Sequence, residues 1–310
     1  MTSADLGFLL IIESLRTPFL NTFFLAITRF GEETVLLPLI CLLYWIFNKR
    51  LAITISMSFL PAVIVNNLLK VTFMILRPWL REPRIIPVEG AVGSATGYSF
   101  PSGHTANAVS VYGAAAQYFS KHRLTKIILW VFILLIAFSR VYLGVHTPLD
   151  VIVSFLIGLV LLVLVHRIMA ALDSHPEVDK TIFLIGFGVI AAGTAFVLLK
   201  PYPIETDRML LKNAMEAFGV TGGALIGWYW DRRRIHFREV GVSFPAILIG
   251  VVGIAMILAI RILLKSPLEA AFGVNVGAFI RYSMIGLWIT GLYPFLLTLI
   301  MKKRQKNQHD

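Results

Sequence analysis

Long apolar runs separated by short polar clusters extend along the whole chain. Nine of these runs predict helices, and in chain order they cover residues 33–47, 51–76, 104–119, 127–142, 148–165, 181–199, 215–230, 242–264 and 279–300. Alternating barrel strands would give much shorter segments with a period of two. The pattern therefore predicts an all-α polytopic membrane protein, a helical bundle with nine spans.

The stretch at residues 6–30 is also apolar, but Glu13, Arg16 and Pro18 interrupt it. It predicts amphipathic helices in the membrane interface rather than a tenth span. Because no Lys or Arg precedes Arg16, a cleavable signal peptide is not expected. The predicted domains are an N-terminal amphipathic segment (1–33), a core with five spans (34–170) and a C-terminal four-span region (171–310).

Charge orients the predicted spans. The net charge is +11, and only 15% of residues are charged, against 57% hydrophobic. The basic residues lie at helix ends, where anionic headgroups and topology account for them, so we expect membrane lipids and no nucleic acid as partners. The clusters that predict the cytoplasmic side, with the C-terminus, are Lys49-Arg50, Lys121-Arg123-Lys126, Arg232-Arg233-Arg234-Arg238 and Lys302-Lys303-Arg304.

Metal and disulfide chemistry find little support in the sequence. Cys41 is the single cysteine, and it lies within an apolar run. The seven histidines are scattered and show no metal-binding spacing. We therefore expect no metal and no cofactor.

The C-terminal region contains two similar stretches, 199–220 and 264–274. Each places Leu-Lys ahead of an Ala-Phe-Gly-Val sequence, which predicts two helical hairpins in tandem. Chance similarity between apolar helices is the alternative. Gly219, Gly223 and Gly227 lie one turn apart and predict a face for close helix packing.

Three polar motifs fall on the predicted non-cytoplasmic side, where the bilayer makes ionisable groups costly. In the first, Lys70 and Arg77-Pro78 follow Asn66, and on one helix these side chains would share a face. Lys70 alone could equally extend to the headgroups.

The second motif is Pro101-Ser102-Gly103-His104 ahead of an apolar helix. Ser102 is typical of an N-cap, and the free amides of Gly103 and His104 form an anion site. By itself, the motif is also what an ordinary helix cap looks like.

The third motif contains Ser139-Arg140, His146 and Asp150. Thr147-Pro148 predicts a helix start, which places Asp150 within one turn of His146. A carboxylate on one imidazole nitrogen leaves the other free as a nucleophile or base. Alternatively, or in addition, Asp150 closes a capping box with Thr147.

Together the motifs offer what phosphoryl transfer requires: cations and helix-end amides, an oriented nucleophile and a second titratable group. They resemble the three signatures of the type 2 phosphatidic acid phosphatase superfamily, Lys-x6-Arg-Pro, Pro-Ser-Gly-His and Ser-Arg-x5-His-x3-Asp, over about residues 34–165. The nine-span architecture is similar to that of glucose-6-phosphatase and sphingosine-1-phosphate phosphatase. Soluble vanadate-dependent haloperoxidases share the signatures, but nine spans argue against them.

The resemblance implies a role for each matched residue. His146 would attack phosphorus and form a phosphohistidine, with Asp150 supporting it and His104 protonating the departing alcohol. The residues implied to bind the phosphate are Lys70, Arg77, Ser102, Gly103 and Arg140.

The sequence therefore predicts an integral membrane phosphatase, in a bacterial cell membrane, that hydrolyses a lipid phosphate monoester or diphosphate at the extracytoplasmic face without a metal. Arg81 and Arg84 in the loop 79–100 could hold a second phosphate or contact headgroups. A phosphotransferase would share every motif with a hydrolase. A transporter or lipid-binding protein is the non-catalytic alternative, although neither explains an oriented His-Asp pair beside a second histidine.

Overall fold

The computed structural model describes residues 3–175, 177–202 and 207–306. The predicted all-α fold is confirmed, since 83% of the structure is helical and the described residues contain no strand. The chain packs into two compact units. The first contains residues up to Leu37 together with Thr54–Ile168, and the second contains Pro38–Ile53 together with the chain from Met169 onward.

Nine α-helices of the described residues lie wholly or partly in the first unit. They are α1 Ser3–Ser14, α2 Pro18–Thr28, α3 Glu33–Leu42, α4 Lys49–Phe73, α5 Pro78–Arg81, α6 Gly103–Ala108, α7 Ala114–Tyr118, α8 Arg123–Tyr142 and α9 Pro148–Ser174. Short 3-10 turns lie at Arg29–Gly31 and Val92–Ser94. Val109–Gly113 forms a π turn that joins α6 and α7 into one continuous helix. Buried polar residues collect around the starts of α6 and α9.

Five helices follow in the second unit: α10 Val178–Leu199, α11 Arg208–Trp230, α12 Phe244–Leu263, α13 Lys265–Leu287 and α14 Tyr293–Lys306. Gly273, with φ 77°, breaks α13, because its backbone conformation is open mainly to glycine. Gly277 lies against the backbone of Leu268, so the chain folds back on itself at this break.

Nine spans are not confirmed. Within the described ranges, six helices are long and apolar enough to cross a membrane, and a seventh span results if Pro18–Gly31 and Glu33–Phe47 form one broken crossing. The predicted runs 104–119 and 215–230 are not among them. The first belongs to the short helix that begins at Gly103, and the second carries Glu216 and four glycines, so its hydropathy is low despite its 23 residues.

The N-terminal helices pack on the first unit. Leu9 and Ile12 of α1 are buried, and both α1 and α2 contact α8. The side chain of Arg16 donates from Nε to the Tyr142 carbonyl at 2.9 Å. One face of this segment is therefore covered by protein rather than by lipid or water.

The predicted glycine face of α11 packs closely against α13. A Cβ at Gly219 would collide with the Phe279 backbone, and one at Gly223 would collide with the Ser283 backbone. Across the contact, Gly286 approaches the Val220 backbone in the same way. The helices can approach this closely only because side chains are missing at these positions.

Candidate active site

His146 and Asp150 meet at the start of α9. The chain leaves α8 at Tyr142, turns, and enters α9 at Pro148, so His146 stands just ahead of the helix and Asp150 lies in its first turn. The His146 Nδ1 atom is 3.5 Å from Asp150 Oδ2, and both side chains are buried. This places a carboxylate beside one imidazole nitrogen.

Asp150 also closes the capping box that was the alternative interpretation. The Thr147 amide donates to Asp150 Oδ2 at 2.8 Å, and the Asp150 amide donates to Thr147 Oγ1 at 3.3 Å. Ser99 Oγ donates to the same Oδ2 at 2.6 Å. These donors fix the carboxylate, so the two interpretations of Asp150 are compatible.

The other nitrogen of His146 faces a cation. Arg77 Nη1 lies 2.9 Å from His146 Nε2 and also donates to the Val145 carbonyl at 3.0 Å. A guanidinium has only donors, so Nε2 must offer its lone pair and the ring proton is assigned to Nδ1, on the Asp150 side. The buried imidazole thus directs its Nε2 lone pair toward the Arg77 guanidinium, which must release it before Nε2 can act as a nucleophile.

Arg77 reaches this position by a route that the sequence did not predict. The expectation that Asn66, Lys70 and Arg77 share one helix face is wrong for Arg77, because α4 ends at Phe73 and Met74 has φ 46°. Arg77 caps α5 instead, and its Nε and Nη2 donate to carbonyls of the loop 79–100, at Gly97 (3.0 Å) and Thr96 (2.7 Å). The loop therefore anchors the guanidinium against His146.

Ser102 and His104 open the helix α6 as predicted. Ser102 is the N-cap, and its Oγ accepts from the Thr105 amide at 3.4 Å and from Thr105 Oγ1 at 3.0 Å. The Ser102 amide donates to the Asp150 carbonyl at 3.2 Å, which joins the second motif to the third. The Nε2 atom of His104 is buried and has no hydrogen-bond partner among the described residues.

Asn66 and Lys70 bring α4 to the same place. Asn66 Nδ2 donates to the Pro101 carbonyl at 3.3 Å, and the Asn66 side chain lies beside Gly103. Lys70, one turn further along, is half-buried. The first motif thus approaches the second through α4 and the third through Arg77.

Arg140 is fully buried at the end of α8. Its Nη1 donates to Thr28 Oγ1 at 2.7 Å, whereas Nε and Nη2 have no partner among the described residues. A buried cation with two unused donors is an energetically costly arrangement unless an anion completes it.

Burial and nearby cations favour the neutral form of both histidines. Burial lowers the pKa of His146 well below its ordinary value, and the nearby charges of Arg77 and Arg140 lower it further. Burial lowers the pKa of His104 in the same way, reinforced by Arg140 and His146. The charges of Arg77, Arg140 and Lys70 act on both histidines, so these five residues share one electrostatic environment.

Two contact residues, Ser99 and Thr28, were missed by the sequence reasoning. Ser99 lies in a loop and Thr28 in a segment that was expected to lie apart from the core. Neither carries a motif, and only the folded chain brings them next to Asp150 and Arg140. A polar residue inside an apolar stretch was the one signal available at Thr28.

Comparisons with known proteins match the part of the chain that contains these residues. The PAP2 superfamily profile matches residues 50–173. Phosphatidylglycerophosphatase B of Bacillus subtilis (strain 168) is 32% identical over 162 residues, which make up 49% of this chain and 76% of the relative. The chain belongs to the PAP2 superfamily. It is therefore a phosphatase and an integral membrane protein.

Other PAP2 relatives cover similar portions of the chain. The undecaprenyl-diphosphatase of Sulfolobus acidocaldarius is 34% identical over 45% of this chain and 66% of its own length. The crystal structure of Aquifex aeolicus LpxE is 28% identical, covers 54% of this chain and 96% of its own, and has a TM-score of 0.48. A second profile, the PAP2 superfamily phosphatase transmembrane extension, matches residues 215–305.

Proposed function

We propose that this PAP2 phosphatase hydrolyses a lipid phosphate monoester or diphosphate at the extracytoplasmic face of a bacterial cell membrane. The reaction proceeds through a phosphohistidine on His146 and needs no metal. The arrangement of His146 supports this most directly: Nδ1 faces Asp150 at 3.5 Å, and Nε2 faces Arg77 at 2.9 Å.

In the first step, the lone pair of His146 Nε2 attacks phosphorus and the bond from phosphorus to the leaving oxygen breaks. Arg77 and Arg140 stabilise the charge on the other phosphate oxygens, together with Lys70 and the amides after Ser102. Asp150 stabilises the positive ring that forms on His146. The contact of 3.5 Å is expected to shorten as the ring gains charge.

His104 transfers the protons. In the first step its Nε2 gives a proton to the departing alkoxide, and in the second it accepts one from the water that attacks the phosphohistidine. The low pKa of His104 in the empty site means that bound substrate must help to protonate it. A phosphate dianion does this, because its negative charge offsets the arginine charges that depress the pKa.

A lipid substrate follows from where the site lies. The motif residues are at helix ends, where a headgroup can meet His146 while its tail remains in the bilayer. Two relatives, a phosphatidylglycerophosphatase and an undecaprenyl-diphosphatase, support lipid phosphates as substrates as well.

Arg84, a predicted ligand for a second phosphate, already pairs with Glu82. Its Nε and Nη2 contact the two carboxylate oxygens of Glu82 at 2.9 and 3.0 Å, and the pair is mostly exposed. A matched guanidinium offers an anion little gain. This observation favours a monoester over a diphosphate.

The deciding experiment measures phosphate release by the purified chain in the presence of EDTA. The panel contains phosphatidic acid, phosphatidylglycerol phosphate, sphingosine 1-phosphate, undecaprenyl diphosphate and glucose 6-phosphate. We expect release from a lipid by the wild type and none by His146→Ala. His122→Ala is the matched control, because His122 is exposed in a loop of the same unit.

Three results would count against the proposal. Full activity of His146→Ala would reject the nucleophile, and loss of activity in EDTA with rescue by magnesium would reject the metal-free mechanism. Transfer of phosphate to an added alcohol in preference to water would identify a phosphotransferase.

The role of His104 is tested by the leaving group. A p-nitrophenolate departs without protonation, whereas an alkoxide does not. We expect His104→Ala to slow release from an alkyl phosphate about 10²- to 10⁴-fold and release from p-nitrophenyl phosphate much less. Equal losses on both substrates would exclude His104 as the acid.

Cysteine labelling tests on which side of the membrane the active site lies. Cys41 is buried, so a cysteine introduced at Arg84 or at Lys121 would be the accessible thiol of the chain. In intact cells, a membrane-impermeant maleimide should label Arg84→Cys and not Lys121→Cys. The reverse result would place the active site on the cytoplasmic side.

A further inference from the structure

The segment formed by α2 and the turn Arg29–Gly31 is hydrogen-bonded to the continuous helix that begins at Gly103 and carries His104. Tyr112 Oη donates to the Phe30 carbonyl at 2.9 Å, and Asn107 Nδ2 donates to the Gly31 carbonyl at 3.0 Å. Both contacts join residues more than 70 positions apart in the sequence. The segment itself lies outside the family match at 50–173, whereas the residues that it contacts lie inside that match.

Thr28, the last residue of α2, holds one edge of the Arg140 guanidinium. The hydroxyl accepts from Nη1 at 2.7 Å, and Thr28 is only 3% exposed. The donors Nε and Nη2 remain buried and unpartnered among the described residues. One edge of the guanidinium is thus anchored, and the others are left for an acceptor.

Gly31, three residues later, sets the position of His104. A Cβ at Gly31 would lie 3.1 Å from His104 Cβ, 3.1 Å from the His104 carbonyl oxygen and 3.0 Å from Ile136 Cγ2. These separations are shorter than ordinary van der Waals contact. Any side chain at this position would push His104 or the segment away.

We infer that Thr28 and Gly31 are positioning residues of the phosphatase site, in which Thr28 aims Arg140 at the phosphate group and Gly31 sets the place of His104. The inference rests on the proposed function, since it takes Arg140 as a phosphate ligand and His104 as the acid. It extends the site to a segment that carries none of the three motifs.

The two positions should affect different kinetic constants. Thr28→Val removes the hydroxyl that anchors Arg140, so binding of the phosphate group should weaken about tenfold, in KM and in the inhibition constant for orthovanadate. Gly31→Ala moves the acid by a few tenths of an ångström, so kcat for an alkyl phosphate should fall about tenfold at nearly constant KM.

The experiment compares Thr28→Val, Thr28→Ser and Thr22→Val in the full chain. Serine retains the hydroxyl and should restore orthovanadate affinity. Thr22 is exposed on the same helix and bonds only to the Pro18 carbonyl, so Thr22→Val controls for valine at a threonine position in α2. Thermal stabilisation by orthovanadate measures binding without turnover, and Thr28→Ala replaces the valine variant if that one does not fold.

The outcomes separate this inference from the proposed function. The role of Thr28 would be overturned if Thr28→Val or Thr28→Ala kept the wild-type affinity for orthovanadate. It would also be overturned if Thr22→Val and Thr28→Ser weakened that affinity as much as Thr28→Val does. Wild-type kinetics in Gly31→Ala would overturn that of Gly31. If orthovanadate binds and depends on the Thr28 hydroxyl while no lipid is hydrolysed, the inference stands and the lipid phosphatase proposal fails. Absence of orthovanadate binding to the wild type would overturn both.

Discussion

Buried charged side chains have different kinds of partner in the two units of the molecule. In the second unit, buried ionic groups have partners of opposite charge: Asp231 pairs with Lys49, and Arg281 pairs with Glu216 at 3.5 Å and Glu269 at 3.4 Å. In the first unit, Arg140 has no carboxylate partner within ion-pair distance among the described residues, and Arg77 is held by carbonyls and by His146.

The difference separates structural charges from charges prepared for a ligand. A buried ion pair satisfies itself, and breaking it destabilises the fold. Buried cations held by neutral groups cost stability in the empty protein and recover it when an anion binds. Charge substitutions should therefore reduce activity in the first unit and stability in the second.

The largest expected effect in this comparison is at Asp150. Asp150→Asn keeps the size of the side chain but removes the charge that orients and stabilises the His146 ring, so kcat should fall about 10³- to 10⁴-fold. Initial rates on the lipid identified by the panel measure the loss. Activity should remain above that of His146→Ala, because the imidazole is still present, and equal activity of the two variants would contradict the supporting role.

Next in size is the loss expected at Arg140. Arg140→Gln removes a cation that stabilises the transition state, so kcat/KM should fall about 10²- to 10³-fold. Its melting temperature should not fall, because the lost charge has no carboxylate partner. Arg123→Gln, at the exposed start of the same helix, is the control and should change neither quantity. A large fall in the melting temperature of Arg140→Gln would contradict the proposed difference between the buried charges of the two units.

In the second unit we expect the reverse. Asp231→Asn leaves Lys49 without its carboxylate, and it weakens contacts to the Phe237 amide (2.9 Å) and Tyr44 Oη (3.2 Å). Since Lys49 retains some exposure, the free energy of unfolding should fall by about 2–3 kcal/mol, with KM unchanged. The control is Asp173, which forms an exposed ion pair with Arg50. Asp173→Asn should lower the free energy of unfolding by less than about 1 kcal/mol.

Acidification should give the smallest effect. Because the pKa of His146 and of His104 is lowered in the folded protein, the unfolded chain binds protons first as pH falls. Stability should decline below about pH 6.5, the ordinary histidine pKa. The slope of melting temperature against pH should be shallower in His146→Gln, and an unchanged slope would show that His146 does not contribute.

The sequence predicted the site better than it predicted the spans. Ser102 as a cap, Pro148 as a helix start and the placement of Asp150 near His146 follow from local rules, since each depends on neighbours within four residues. These features appear in the structure as expected. The matched roles of the site residues stay predictions until the variants are measured.

The number of spans could not be predicted because hydropathy does not reveal what covers a helix. The run 104–119 is apolar because protein surrounds it, and its residues Thr105, Asn107 and Ser110 are buried as well. The break after Phe73 depends on Met74 adopting φ 46°, which no local preference indicates. The contact of Thr28 with Arg140 joins residues 112 positions apart.

The close packing of α11 on α13 also bears on mechanical unfolding. Their backbones touch at Gly219, Gly223 and Gly286, so α11 is held against α13 although α12 lies between them in the sequence. A probe that pulls the C-terminus out of the bilayer cannot extract α13 without breaking this contact with α11. Force spectroscopy should therefore show one large extraction step for residues 208–287 rather than separate steps for the α12–α13 pair and for α11.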